Sequence, residues 1–159
     1  QVITEGGSVG VNGLLLAREY DYDNGTDCLT ILLPSGRKLY YINPSIGQNE
    51  WGRPSISYMG MDQKTKRWKR IETYGGKLVE NCVQAIARDC LAASIDRLEA
   101  AKLPVVFHVH DEVVIDVAPF ADEDTMLSTV CSIMGEPVPW APDLPLKAAG
   151  WVGYYFTKD

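Results

Sequence analysis

His110, Asp111 and Glu112 stand in the middle of "PVVFHVHDEVVIDV", residues 104–117, whose other positions are almost all β-branched or aromatic. Two carboxylates beside an imidazole can hold a divalent cation or move a proton, yet such groups are costly to bury in an apolar strand. The conflict disappears if the stretch folds back on itself. Val105 to Val109 and Glu112 to Val117 each read as a strand, which leaves His110-Asp111 as a two-residue turn. His and Asp are among the few non-Gly residues enriched at the positive φ that tight hairpin turns demand. Asp111 is then lifted to the tip of a rigid stem, with the valines, Phe107 and Ile115 expected to pack beneath it. Two strands gripping one carboxylate suit metal-ion chemistry, because a ligand must be held within a fraction of an ångström. These residues alone leave a second reading open, in which His-Asp is turn chemistry and Glu112 its solvated neighbour.

The elements that must position this tip can be read from the rest of the chain. "CLTILL", "PSGR" and "KLYYIN" read as strand, turn and strand, giving a hairpin over residues 28–43. "SISYMG" and "RWKRIE" flank "MDQKTK" as a second hairpin, and "NPSIGQNEWGRP" between the two reads as loop. From Lys77 to about Ala101 the period changes to 3.6: Leu78, Val79, Cys82, Val83, Ile86, Cys90, Leu91, Ile95 and Leu98 form an apolar stripe. Gly75-Gly76 precedes this predicted helix and Pro104 follows it. A shorter helix is expected in "DEDTMLSTVCSIM", then a Pro-rich loop "GEPVPWAPDLP", and "LKAAGWVGYYF" is expected to close the sheet as a strand. The order of strands, helix, hairpin and helix predicts an α+β fold in a single domain or subdomain spanning 1–159, with 1–31 as a connecting segment.

Composition narrows the function classes. A chain of 159 residues with 46% hydrophobic content can bury a sizeable core, and no run approaches the ~18 apolar residues of a membrane span. The opening "QVITEGGSVGVNG" lacks the basic start and apolar block of a signal peptide. Cys28, Cys82, Cys90 and Cys131 show no C-x-x-C spacing and read as reduced core thiols of a cytoplasmic protein, with no membrane partner expected. The net charge of −6 argues against a free-standing nucleic-acid binder, whose footprint is normally basic.

Taken together, "VHDEVV", "GGKLVENCVQAIARDCL", "LPSGRKLYY" and "LPLKAAGWVGYYFTKD" resemble the C-terminal part of a family A DNA polymerase, the DNA polymerase I family, and more closely its phage and prophage members. The likeness runs from about Leu32 to Asp159. "VHDEVV" resembles the third polymerase motif, a palm hairpin, and the resemblance implies Asp111 as the Mg²⁺ ligand and His110 and Glu112 as groups positioning the primer end or the outer metal shell. The long helix resembles the one that carries a DNA-facing Gln, matched by Gln84. Lys77, Asn81, Gln84 and Arg88 fall at i, i+4, i+7 and i+11 and make a polar stripe beside the apolar one. Their donors suit the minor groove, where A·T and G·C pairs offer acceptors at equivalent places. Where the family commonly has Asn four residues before this Gln, the chain has Glu80.

Other parts of the family pattern are missing. The second metal-binding Asp belongs to a motif of the form D-Y-S-x-x-E; "DYDNG" at Asp21 begins alike, but Asn24-Gly25 makes it a turn. The nucleotide-binding helix has the form R-x-x-x-K with Tyr-Gly further on; Lys66 precedes Tyr74-Gly75 suitably, but Asp62 sits where Arg should be. The resemblance therefore implies a palm fragment of a DNA-directed DNA polymerase, whose partners are primer-template DNA, deoxynucleoside triphosphates and the remaining polymerase subdomains. It is expected to be inactive alone, since two metals about 3.5 to 4 Å apart need both Asp residues. Two rivals stand beside this reading. "KTKRWKR", with Trp68 inside a basic run, suits a non-catalytic nucleic-acid-binding module. His108-x-His110-Asp111 suggests a metal-dependent hydrolase, but such sites need further His ligands and the chain has 2 His in all.

Overall fold

Asn12 and Gly13 have φ of 48° and 79°, the doubly left-handed backbone of a type I′ turn that matches the twist of the strands it joins. That turn begins an antiparallel meander. The structure, a computed structural model, describes residues 1–49, 51–118 and 121–157. A short helix α1 (Val2–Glu5) precedes strands β1 (Ser8–Val11), β2 (Leu14–Asp21), β3 (Thr26–Leu32), β4 (Lys38–Gln48), β5 (Pro54–Met61) and β6 (Trp68–Thr73), which pair in sequence order as one six-stranded sheet. Then come the long helix α2 (Gly75–Ala100), a separate pair of strands β7 (Val105–Val109) and β8 (Glu112–Ile115), and helix α3 (Glu123–Met134). The α+β class is as the sequence predicts. The chain divides into two compact units, Gln1–Gln84 and Ala85–Asp159, with the boundary inside α2.

In the first unit the buried centre is β3, where Cys28, Leu29, Thr30 and Ile31 are all buried, so both faces of the strand are covered. Charges tie its neighbours together over it. Lys38 on β4 donates to both carboxylate oxygens of Glu19 on β2, at 2.7 and 3.0 Å. Arg18 on β2 grips Asp27 on β3 through Nε and Nη2, at 3.0 and 2.6 Å, and its Nη1 donates to the carbonyl of Ile3, holding α1 against the sheet. Residues 1–31, expected as a connecting segment, thus fold into α1, β1, β2 and most of β3.

Both expected hairpins form, as β3–β4 and β5–β6. "NPSIGQNEWGRP" is not all loop, because β4 continues to Gln48 past a bulge between Ile42 and Ser45. Asn43 takes φ 47° there, and the bulge absorbs Pro44, which has no N–H to give a regular ladder. The β5–β6 turn is organised by Asp62, whose Oδ1 accepts from the Thr65 amide at 2.6 Å, the Thr65 hydroxyl at 2.8 Å and the Lys64 amide at 3.1 Å. Its Oδ2 pairs with Lys69 at 2.9 Å. Asp62 is thus a turn-building residue.

α2 follows the expected helix closely, with Gly75 and Gly76 inside its first turn rather than before it. Its buried line runs through Cys82, Ala85, Cys90, Leu91, Ser94 and Leu98. Val79 and Val83, read as part of the apolar stripe, lie off that line and are 62% and 61% exposed. In the first unit Asn81 ties the helix to the sheet by donating to the Tyr41 hydroxyl at 3.0 Å, and Tyr41 packs edge-on against Tyr58. Burial pushes the Tyr41 phenol up, the Asn81 bond opposing it. In the second unit Arg97 donates to the carbonyls of Glu136 and Pro137, each at 2.8 Å, fixing the chain after α3 onto α2.

α3 starts where expected, with the Asp122 carboxylate accepting from the Thr125 amide at 3.2 Å and acidic residues in the first turn, favourable at the positive end of the helix dipole. The expected strand in "LKAAGWVGYYF" does not form. Gly150 and Gly153 interrupt it, and at Gly150 the backbone lies so close to α3 that a Cβ would stand 2.9 Å from the Leu127 side chain. Cys28, Cys82, Cys90 and Cys131 are free thiols, as read. Burial pushes the Cys28, Cys82 and Cys90 thiols up, away from the nucleophilic thiolate.

The Thr65 amide, the Lys69 ammonium and the Thr65 hydroxyl, in that order, hold the Asp62 carboxyl well below the usual carboxylate range. A depressed folded-state pKa gives stability that is complete above the unfolded value of about 3.9 and is lost as pH falls through the folded one. Thermal unfolding followed from pH 7 downward should therefore show Tm falling below about pH 4, and Asp62→Asn should show a shallower fall with a lower starting Tm.

Candidate active site and its hairpin

The position of the hairpin is set by how α2 ends. Leu103 donates its amide to the Leu98 carbonyl at 2.9 Å and Lys102 to Glu99 at 3.0 Å, with Lys102 at φ 63°. This is the paired bonding of a Schellman motif, which satisfies the last carbonyls of a helix and turns the chain sharply away. Leu98 beneath it is 0% exposed. The Glu99 side chain, from the same turn, accepts from the Val105 amide at 2.6 Å, so the first residue of β7 is clamped to the end of α2.

From there Val109 pairs with Glu112, leaving His110 and Asp111 as the two-residue turn the sequence predicts. Positive φ is found at His110, 52°, and not at Asp111. That is the first-position pattern of a II′ turn, where Gly is the usual occupant. The expectation that the stem's apolar residues pack beneath the tip holds only in part. Val106 and Phe107 are exposed, the latter stacking edge-on with Phe156 at 5.2 Å, and no residue of β7 or β8 is fully buried. β-branched content here serves strand pairing more than burial.

His110, Asp111 and Glu112 are brought together at this exposed tip. Glu112 begins β8 and Asp111 closes the turn, so two hard oxygen donors are consecutive and exposed at the tip. Mg²⁺ accepts such a donor set, since it is held by one or two carboxylates with water and substrate phosphates completing its shell. Among the described residues no group of three or more His, Cys, Asp or Glu side chains is placed to hold a metal ion. His108 and His110 share one hairpin, but among the described residues they form no metal-holding group with Asp111 or any other His, Cys, Asp or Glu.

The four residues of the helix stripe have different surroundings. Lys77 is paired with Glu80 at 2.9 Å, and the Asn81 amide is committed to Tyr41. Gln84 and Arg88 are exposed, and neither side chain is hydrogen-bonded or ion-paired among the described residues. Lys77, Asn81 and Gln84 belong to the first unit, and Arg88 to the second with the hairpin. The role of Glu99 escaped the sequence reading, as did that of Asn81 as a tie to Tyr41. No short-range pattern marks a helical carboxylate that will cap a strand six residues on.

Over 139 residues, 87% of its length, the chain is 48% identical to a protein named DNA polymerase from Bacillus phage SP02. The chain spans about a fifth of that relative, 20% of its length. No family model matches the chain. No solved structure matches it either. No helix among the described residues is long and apolar enough to cross a membrane.

Because a β-branched side chain tolerates left-handed backbone poorly, at a cost of about 1–2 kcal/mol, His110→Val should lower the urea unfolding free energy by about that amount. His110→Gly, which removes the imidazole but suits φ 52°, should change it by less than about 1 kcal/mol. Equal effects of the two variants would show that this turn geometry does not govern position 110.

Proposed function

We infer that the chain is part of a phage-type DNA-directed DNA polymerase of the DNA polymerase I family, its C-terminal palm region, with Asp111 as a metal-holding carboxylate of the active site. The observation that carries this reading is the hairpin tip, where a two-residue turn clamped to the end of a long helix presents Asp111 between His110 and Glu112. The 48% identity to a phage DNA polymerase supports it.

The reaction would be attack of a primer 3′-hydroxyl on a deoxynucleoside triphosphate, directed by a template during DNA replication. Phosphoryl transfer of this kind depends almost wholly on positioning and charge neutralisation. Asp111 would hold Mg²⁺, which when bound supplies the positive charge that the phosphates require. The stem restricts where the Asp111 carboxylate can move, while His110 and Glu112 lie close enough in sequence and space to orient the primer end or water around the metal. On α2, Gln84 and Arg88 have uncommitted donors for the minor groove and backbone; Asn81 and Lys77 would first have to release Tyr41 and Glu80. Primer-template DNA, deoxynucleoside triphosphates and the remaining subdomains are the implied partners. A single such Asp cannot clamp two metals, so the 159-residue chain is expected to be inactive by itself.

Asp111→Asn in the complete polymerase keeps the shape and most of the turn preference of the side chain while removing its charge. Single-turnover nucleotide incorporation should fall at least about a hundredfold, the scale of losing a few kcal/mol of transition-state stabilisation. Stability should move by no more than about 0.5 kcal/mol, as for other exposed polar substitutions. Near-normal incorporation by the folded variant would remove Asp111 from the active site and leave His-Asp as turn chemistry alone.

A further inference from the structure

The polymerase reading leaves one part of the surface unused. Lys64, Lys66, Arg67, Lys69 and Arg70 supply five of the 15 Lys and Arg in a chain of net charge −6, and all residues from Gln63 to Arg70, the turn of the β5–β6 hairpin and the first half of β6, are exposed. Crowding cations into one turn is unfavourable by mutual repulsion, and the local structure compensates little of it. Lys69 pairs with Asp62, and Lys66 donates to the neutral Gln63 amide at 3.3 Å. The side chains of Lys64 and Arg67 have no hydrogen bond or ion pair among the described residues.

Arg70 is held differently. Its Nη1 donates to the Asn43 carbonyl at 3.2 Å, the Ser45 hydroxyl at 2.9 Å and the Ser57 hydroxyl at 3.2 Å. All three acceptors are neutral, so the guanidinium is fixed across β4, β5 and β6, and among the described residues it has no ion pair and its other nitrogens have no hydrogen bond. A guanidinium fixed in this way is pre-organised for an anion, because the rotamer entropy has already been lost. Two residues earlier on the same face of β6 stands Trp68, 55% exposed, opposite an exposed Met61. A large indole on the outer face of an edge strand gains nothing from packing there, but among cations it forms a platform for a planar ring.

We propose that the β5–β6 hairpin tip is a binding site for single-stranded DNA, with phosphates on Lys64, Lys66, Arg67 and Arg70 and an unpaired base stacked on Trp68. A single strand fits better than a duplex, since stacking needs an open base face and the neighbouring base pairs of a duplex cover it. The chain's net negative charge confines the attraction to the tip and makes it sensitive to salt. The site goes beyond the polymerase reading and does not need it: binding requires neither Asp111 nor catalysis.

The test is titration of the 159-residue chain into fluorescein-labelled oligothymidylate at several salt concentrations. Lys64→Ala with Arg67→Ala removes two unbonded cations from an exposed turn, so the fold should persist, checked by thermal unfolding. This variant should bind at least about tenfold more weakly at low salt, with the slope of log K against log salt shallower by about 1.4, two single-strand contacts at about 0.7 each. Trp68→Ala should weaken binding at least about fivefold with the slope unchanged, and Trp68→Phe should restore most of it. Failure of the wild-type chain to bind, or variants that bind like it, would overturn the proposal. So would duplex DNA or phosphatidylserine vesicles bound as tightly as the single strand without dependence on Trp68.

Discussion

Everything the hairpin presents depends on how α2 ends. A helix of 26 residues carries unsatisfied carbonyls at its C-terminus, and here Lys102 and Leu103 close them while Leu98 is sealed beneath. One carboxylate from that turn, Glu99, then takes the amide of Val105. The hairpin has little burial of its own, and a lone two-stranded ribbon is marginal in water. Its geometry is therefore borrowed from the helix through one charge-assisted hydrogen bond and one tight turn. Asp111 is positioned by residues on the far side of the stem, none of which would touch a ligand.

The six-stranded sheet solves a different problem with similar means. A meander of sequential hairpins has only local pairing, and its order is kept by turn residues and by ties that cross more than one strand. Lys38 reaches Glu19 over β3, and Arg70 reaches the bulge of β4 over β5. Exposed ion pairs contribute little each. Their effect here is on register, since a slip of one residue would turn every partner to the opposite face. The same exposed hairpin that needs Asp62 to shape its turn also carries the cations proposed to meet DNA, so one acidic residue both builds the tip and limits its charge.

Much of this was legible because it is local. The His-Asp turn, the two central hairpins, α2 and α3 follow from turn chemistry and periodicity within a few residues. The Asn12-Gly13 hairpin is equally legible, since Asn-Gly between apolar residues is among the strongest hairpin signals, and its strands stand where a connecting segment is expected. The remaining differences come from tertiary choices that spacing cannot encode. Val79 and Val83 fit the 3.6 period but fall outside the buried line, and Asn81 was read with a polar stripe although its amide turns to Tyr41. "LKAAGWVGYYF" has strand-forming residues, but Gly150 allows close approach to α3 instead of pairing. At the candidate site, the turn and its residues were visible, while the Glu99 clamp that aims them was not.

The proposed role of the Asp111 tip carboxylate is to hold a divalent cation. Paramagnetic broadening tests it without requiring catalysis: Mn²⁺ is added at well below one equivalent to isotope-labelled protein, and backbone amide signals are followed. Loss of signal should centre on His110, Asp111 and Glu112 and vanish in Asp111→Asn, with the acidic turns at Asp21–Asp23 and Asp122–Asp124 little affected. Broadening centred on those turns, with the hairpin tip untouched, would contradict the account.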